Sequence, residues 1–335
     1  MAGMNQAGAN WHDWLPIRVW RPVGEWVVDW CRFGSQRLRE PFFSDSVEDA
    51  LRHPFNLAFR QRTGIDALLD WQMRSPGIAP TAFVFHTSRC GSTLLAQVIA
   101  CFDSHIVLSE PPPFDSVLRA HYSDPMVAEQ QTAWIRALLS ALGQCRSGSE
   151  RALVVKLDAW NIFELPLLRQ CFPATPWLFL YRDPLEIAVS HWQSPGRHMV
   201  PGLIGASPLA LPADQAMTAS RPEFVARTIG RLFEAGLEQC TQHGGLLVNY
   251  NELPEVIGGR LSTALGLDAA DATSARYGLR HHAKRPGETF EQDSSGKREA
   301  AEDAVRKQVE RWALQPYVAL ERLRARQRVG AKTRT

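Results

Sequence analysis

Between the apolar run AFVFH (Ala82–His86) and the helical pattern STLLAQVIA lies the short segment TSRCG, Thr87 to Gly91. Strand, tight loop and helix in that order form the setting of a phosphate-binding loop. A sharp turn at Gly91 would bring successive backbone N–H groups to one side as an anion nest. The helix start adds unpaired N–H groups and a partial positive charge. Ser92 and Thr93 bring hydroxyl donors, and Arg89 brings a planar charged fork for a phosphate or sulfate oxygen. The triphosphate form of such a loop, GxxxxGK[ST], relies on a lysine and on magnesium. Here the first glycine is absent and Ser92 follows Gly91 directly, which speaks against a triphosphate. Taken alone, TSRCG reads equally well as an ordinary turn into a helix with Arg89 exposed.

A second group of chemical residues follows the run WLFLY (Trp177–Tyr181), in RDPLEIAVS, Arg182 to Ser190. Pro184 suits the first turn of a helix, and Asp183 can cap it. Arg182 then stands at the carboxyl end of a strand, with Ser190 two helical turns further on. Such a pair can hold a second, separate phosphate, each charge-assisted contact contributing about 1.5–3 kcal/mol.

Together, HTSRCGSTLL and FLYRDPLEIAVS resemble the sulfotransferases that use 3′-phosphoadenosine-5′-phosphosulfate (PAPS). The resemblance implies an α/β fold, a three-layer sandwich around a central parallel sheet like that of the P-loop NTPases. It implies that Arg89, Cys90, Gly91, Ser92 and Thr93 hold the 5′-phosphosulfate, and that Arg182 and Ser190 hold the 3′-phosphate. It runs from about Ala82 to Tyr250, where LLVNYNEL (Leu246–Leu253) resembles the family's later strand, and leaves the first eighty residues uncovered. The cytosolic small-molecule branch has a lysine where Arg89 stands, and a C-terminal Arg-Lys-Gly loop without a counterpart here. The Arg-x-Gly-Ser-Thr form is closer to bacterial and carbohydrate-type members. Lys297 or Arg298 is a candidate for the missing C-terminal contact, although two exposed basic residues opening a helix explain them as well.

Sulfuryl transfer needs no covalent enzyme intermediate: an acceptor hydroxyl or amine attacks sulfur in line with the leaving phosphate oxygen. Catalysis is then positioning and electrostatics, as in phosphoryl transfer. Arg89 and the loop N–H groups would stabilise the leaving phosphate, and one such donor is often worth about 3 kcal/mol of barrier. Lys156, at the end of LVVK, resembles a lysine of many bacterial sulfotransferases and is assigned to the sulfonate or substrate; a lysine that merely ends a strand is the plain alternative. Glu110, in LSEPPPF, is the first candidate for the base, because several family branches have a glutamate there. Partial burial is expected to raise its pKa, while nearby cations would lower it. His191 is the second candidate, and His86 is expected to support the loop. No metal is expected. A rival reading is an ATP-dependent kinase or NTPase, with Asp158 of ALVVKLD on magnesium. Another is a non-catalytic nucleotide- or partner-binding module.

The elements that must position these residues alternate along the chain. Runs apolar on both faces, AFVFH, IVLS (Ile106–Ser109), LVVK (Leu153–Lys156), WLFLY and LLVNY (Leu246–Tyr250), suit strands of a buried parallel sheet. Helical patterns lie between them, at Ser92–Phe102, Met126–Leu142, Phe163–Cys171, Pro184–Trp192 and Pro222–Gln242. Ligands of such a sheet sit beyond the carboxyl ends of its strands. Residues 1–80 read as a tryptophan-rich, mostly helical extension packed on the domain formed by 81–335, with helix expected from Ser46 to Met73 and a linker at Arg74–Pro80. The proline- and glycine-rich segment 194–215 reads as a lid, and His281–Glu299 as a second turn-rich stretch. A long amphipathic C-terminal helix is expected to be interrupted near Pro316.

In 335 residues, 37 Lys and Arg nearly cancel 35 Asp and Glu, so there is no general electrostatic case for nucleic acid or a membrane surface. No run is long enough to span a bilayer, and the first residues lack a secretory pattern. The 6 cysteines show no CxxC spacing, which fits reduced thiols and a cytoplasmic location. The expected partners are a small-molecule, carbohydrate or peptide acceptor, with a homodimer possible. Composition does not select among acceptors.

Overall fold

The computed structural model describes residues 10–277 and 301–332. It opens with an antiparallel sheet in which β1 (Trp14–Trp20) and a strand from further along flank β2 (Val27–Arg32). Two short helices follow, α1 (Phe43–Leu51) and α2 (Pro54–Ala58), then the third strand, β3 (Gln61–Gly64), and α3 (Asp66–Arg74). The continuous helix expected from Ser46 to Met73 is thus replaced by helix, strand and helix. Pro54 cannot donate a helical hydrogen bond and starts a new helix, capped by His53. Gln61–Gly64 instead pairs with Val27–Trp30, and Thr63 accepts the Trp30 Nε1–H at 2.9 Å. The extension is therefore mixed rather than mostly helical. Its tryptophans pack inward: Trp11 stacks on Trp30 at 4.4 Å, and Trp26 lies 5.9 Å from Trp134. One continuous core joins Leu15, Val19 and Trp30 to Leu138 and Leu142.

The second sheet builds the site. Its elements are β4 (Pro80–His86), α4 (Ser92–Ala100), β5 (His105–Ser109), α5 (Pro112–Leu118), α6 (Ala128–Leu142), β6 (Ala152–Lys156), α7 (Leu165–Cys171), β7 (Trp177–Tyr181), α8 (Pro184–Gln193), α9 (Ala213–Thr218), α10 (Arg221–His243) and β8 (Leu246–Asn249). The five strands are parallel, in the order β5-β6-β4-β7-β8. Every residue of β5, β6 and β7 is buried, as strands covered on both faces require. Successive residues feed opposite layers: Phe83, Val155 and Phe179 face the core shared with the extension, whereas Val84, Val154 and Leu178 pack with α4. The chain leaves β4 toward β5 and later crosses from β6 to β7 on the other side. The carboxyl end of β4 is therefore the switch point where such sheets bind ligands.

Three helices end the described chain, α11 (Ala269–Tyr277), α12 (Asp303–Trp312) and α13 (Leu314–Lys332). The expected C-terminal break falls at Ala313, three residues before Pro316, because Pro316 has no N–H for the Trp312 carbonyl. That carbonyl lies against Gly230 of α10, where a Cβ would come within 2.3 Å of its oxygen. Among the described residues no helix is long and apolar enough to cross a membrane.

Candidate active site

The carboxyl ends of β5, β6 and β4, neighbours in the sheet, open into one cavity of about 520 Å³. Ser88, Arg89, Ser92 and Thr93 line it from the loop after β4, Glu110 from the end of β5, and Asp158 from the segment after β6. Among the described residues, the non-glycine positions with left-handed φ are Ser88 (62°), Arg89 (51°) and Glu110 (52°). All three border this cavity. Such backbone costs about 1–3 kcal/mol per residue and persists only where its surroundings over-determine it. The Ser88 N–H donates to His86 Nδ1 at 2.9 Å, the Glu110 N–H to the Lys156 carbonyl at 2.8 Å, and the Cys90 thiol to the Leu180 carbonyl at 3.2 Å.

Gly91 is required twice over. Its φ is 86°, and a Cβ there would lie 2.7 Å from Leu253 Cδ1 and 2.9 Å from Tyr250 Cδ2. It starts α4 without a side-chain cap, so no capping side chain takes up the first N–H groups of this helix. Arg89 is half-buried. Its Nη2 donates to the Ser194 carbonyl at 2.6 Å and to Ser194 Oγ at 3.0 Å. Burial pushes its pKa down, opposed by the charge of Glu110.

The second motif meets the first through an aromatic ring. Arg182 is only 3% exposed, and its guanidinium lies 3.9 Å from the centre of the Tyr250 ring that packs on Gly91. Its Nε donates to Glu186 Oε2 at 2.5 Å. Asp183 caps α8, its Oδ1 accepting the Leu185 N–H at 2.9 Å, and Ser190, four residues beyond Glu186 on the same helical face, is half-buried. Arg182 and Ser190 stand outside the lining of the cavity that holds Arg89 and Glu110. Lys297, Arg298 and the stretch His281–Glu299 lie outside the described residues.

Of the three carboxyls that line the cavity, Asp45, Glu110 and Asp158, the last two differ. Burial pushes Glu110 up, but Lys156 and His86 together outweigh it and hold the carboxyl down at about 2. Lys156 Nζ donates to Glu110 Oε1 at 2.6 Å, and His86 Nε2 approaches the same oxygen at 3.1 Å. His86 Nδ1 accepts the Ser88 N–H, so the ring proton belongs on Nε2, facing Glu110. Of the two opposed effects expected at Glu110, that of the cations prevails, because the neighbouring strand supplies one within bonding distance. Lys156 is fully buried, bonded also to Ser109 Oγ at 3.2 Å, and reaches Glu110 from beneath rather than lining the cavity. Asp158 is the opposite case. Burial first, then the charges of Glu110 and Asp115, push its pKa well above the usual carboxylate range, against Lys156 and Arg197. It has no ion-pair partner among the described residues.

His191 is fully buried, with Nδ1 accepting the Gly196 N–H at 3.2 Å, and burial drives its pKa down to about 2. It does not line the cavity. His198, from the lid segment, does, together with Arg197 and Trp160. Its ring lies 5.9 Å from Trp160 and 5.2 Å from His191, and its Nε2 has no partner among the described residues. Burial lowers its pKa to about 4. Sequence reasoning missed these three residues. The one available signal was a basic pair, Arg197-His198, within a proline- and glycine-rich loop. A larger cavity of about 910 Å³, walled by Arg18, Trp20 and Arg62, lies over the antiparallel sheet, away from the loop.

No family model matches the chain, and no curated protein matches it. Solved structures similar to it include these two. One, from Alicyclobacillus acidocaldarius, is 13% identical with a TM-score of 0.42, over 74% of this chain and 96% of that one. The other, STF9 from Mycobacterium avium, is 12% identical with a TM-score of 0.41, over 65% of this chain and 72% of that one. Both are sulfotransferases.

Proposed function

We propose that the protein is a sulfotransferase that moves a sulfuryl group from PAPS to a hydroxyl or amine acceptor by in-line displacement. The observation that carries this reading is the meeting of the two motifs on Tyr250: its ring touches Gly91 of the loop and carries the Arg182 guanidinium. One anion site at the loop and one basic group a ring's width away suit a nucleotide with a 5′-phosphosulfate and a 3′-phosphate. The loop residues present fit the 5′ end. Its helix start is uncapped, Ser92 and Thr93 offer hydroxyls, and Arg89 offers the full charge.

In this reading Arg89 gives up Ser194 for the donor's phosphate and stabilises the charge that builds on the leaving oxygen. Glu110, fixed by Lys156 and His86, places a negative charge beside the acceptor's position. Lys156 then acts as a positioning residue for Glu110 rather than as a contact to the sulfonate. A small-molecule, carbohydrate or peptide acceptor would enter past Trp160, Arg197 and His198. Unpaired cysteines at all six positions suit a reducing, cytoplasmic setting.

Thermal unfolding with adenosine 3′,5′-bisphosphate, AMP, or ATP plus magnesium tests the proposal. The bisphosphate, at a hundredfold over its Kd, should add about 2.7 kcal/mol. Stabilisation by ATP with magnesium but not by the bisphosphate would overturn it in favour of a kinase or NTPase.

A further inference from the structure

We propose that Asp158 is the group that takes the acceptor's proton, with Glu110 as the fixed charge beside it. This rests on the sulfotransferase reading above. Glu110 and Asp158 follow the paired strands β5 and β6, where Ser109 lies opposite Lys156, and both line the same cavity. Glu110 Oε1 is committed to Lys156 and His86. A carboxylate held that firmly in its charged form is a weak proton acceptor. Asp158 has no ion-pair partner among the described residues, yet its backbone is fixed: its N–H donates to Asn161 Oδ1 at 3.0 Å, at the start of a short helical turn from Ala159.

The charged groups acting on Asp158 come from every surrounding element. Glu110 follows β5. Asp115 of α5 is itself bound by Arg119, Trp160 and Asn161. Lys156 is spent on Glu110, and Arg197 belongs to the lid. Arg89, His86, His198 and Asp45 complete the titratable lining of the cavity. Two anions and burial outweigh the two cations, so Asp158 holds a proton more tightly than an ordinary aspartate. Carboxyl pairs driven apart in this way divide acid–base work between them. The better base is the one whose affinity lies nearer the working pH.

In the step itself, the acceptor oxygen forms a bond to sulfur while the bond from sulfur to the donor's phosphate oxygen breaks. The electron pair stays on that phosphate oxygen, and the acceptor's proton passes to the Asp158 carboxylate. Asp158 must be ionised beforehand, so the rate rises with pH through its pKa.

The test follows release of adenosine 3′,5′-bisphosphate from PAPS by the full chain, with water as the acceptor, across a pH series. Wild type should show a rate that climbs to a plateau. Asp158→Asn should bind the bisphosphate as wild type does, lose about 100-fold or more in rate and show no climb. Glu110→Gln should turn over more slowly than wild type, with the climb displaced to lower pH, because the charge that raises Asp158 is gone. A climb retained in Asp158→Asn, a Glu110→Gln variant inactive at every pH, or a wild type that binds the bisphosphate without consuming PAPS would each overturn the proposal. Absence of bisphosphate binding by the wild type would instead overturn the donor reading on which it stands.

Discussion

Replacing Lys156 with methionine isolates the charge balance under the site. Its ammonium is fully buried and bonded to Glu110 at 2.6 Å. Glu110 is held from its ordinary 4.5 down to about 2. That difference corresponds to about 3 kcal/mol of folding stability, similar to the cost of stranding one member of a buried ion pair. The folded state favours the carboxylate, so the contribution is complete above the unfolded-state pKa and is lost as pH falls through the folded one. In Lys156→Met burial is no longer outweighed, and the Glu110 pKa rises above its ordinary value. Urea unfolding followed by tryptophan fluorescence should show the variant weaker than wild type by about 3 kcal/mol at neutral pH. The gap should narrow as pH falls through the variant's raised Glu110 pKa and go on narrowing toward the wild-type value of about 2, because the variant's Glu110 protonates first. Lys156→Met with Glu110→Gln should recover most of the loss, since no charge is left stranded. A gap of constant size across pH, or a double variant as weak as the single one, would refute the reasoning.

Two further outcomes follow from the geometry of the motifs. Gly91→Ala should cost about 2–5 kcal/mol in the same unfolding assay, combining a left-handed backbone with overpacking against Leu253 and Tyr250; a loss under about 1 kcal/mol would mean that these neighbours give way. Arg182→Ala should weaken adenosine 3′,5′-bisphosphate far more than AMP in calorimetric titration. Equal losses would mean that Arg182 serves only its contacts with Tyr250 and Glu186.

The parallel sheet was legible because strands buried on both faces leave unbroken apolar runs, and WLFLY is buried at all five positions. The antiparallel sheet was not. β1 reads WLPIRVW, and its proline and arginine interrupt the alternation. They are tolerated because β1 is an edge strand whose pairing with β2 shifts register between Pro16 and Arg18. Gln61–Gly64 has no apolar residue to mark it as a strand and is defined by pairing to β2. In the candidate site, the gathering of Arg89, Ser92, Thr93 and Glu110 around one cavity was legible because each lies within a few residues of the end of an apolar run. Their partners were not. Chain order suggests that β5 lies beside β4, yet β6 sits between them. That insertion brings Lys156 under Glu110 and Asp158 into the same cavity, and no spacing along the chain announces it.

Under the proposal that Asp158 takes the proton, the insertion of β6 also decides which carboxyl works. A site with little solvent sustains only as many ionised carboxylates as it has cations to balance them. β6 contributes one buried cation and one further carboxyl, and Lys156 is bonded to Glu110. Glu110 therefore keeps its charge at any moderate pH, while Asp158, two residues beyond Lys156, has no such bond and binds its proton more tightly than an ordinary aspartate. Reading burial alone predicts a raised Glu110, and reading Asp158 as a metal ligand predicts a permanent charge. Both inferences take each residue without its neighbour across the strands. An anionic donor at the loop would add negative charge on the side of Arg89, and the Coulomb term from that charge raises Asp158 further while the already paired Glu110 changes least. Donor binding would thus raise the proton affinity of Asp158, and under the proposal above the acceptor's proton goes to this carboxyl, which lines the cavity without an ion-pair partner among the described residues.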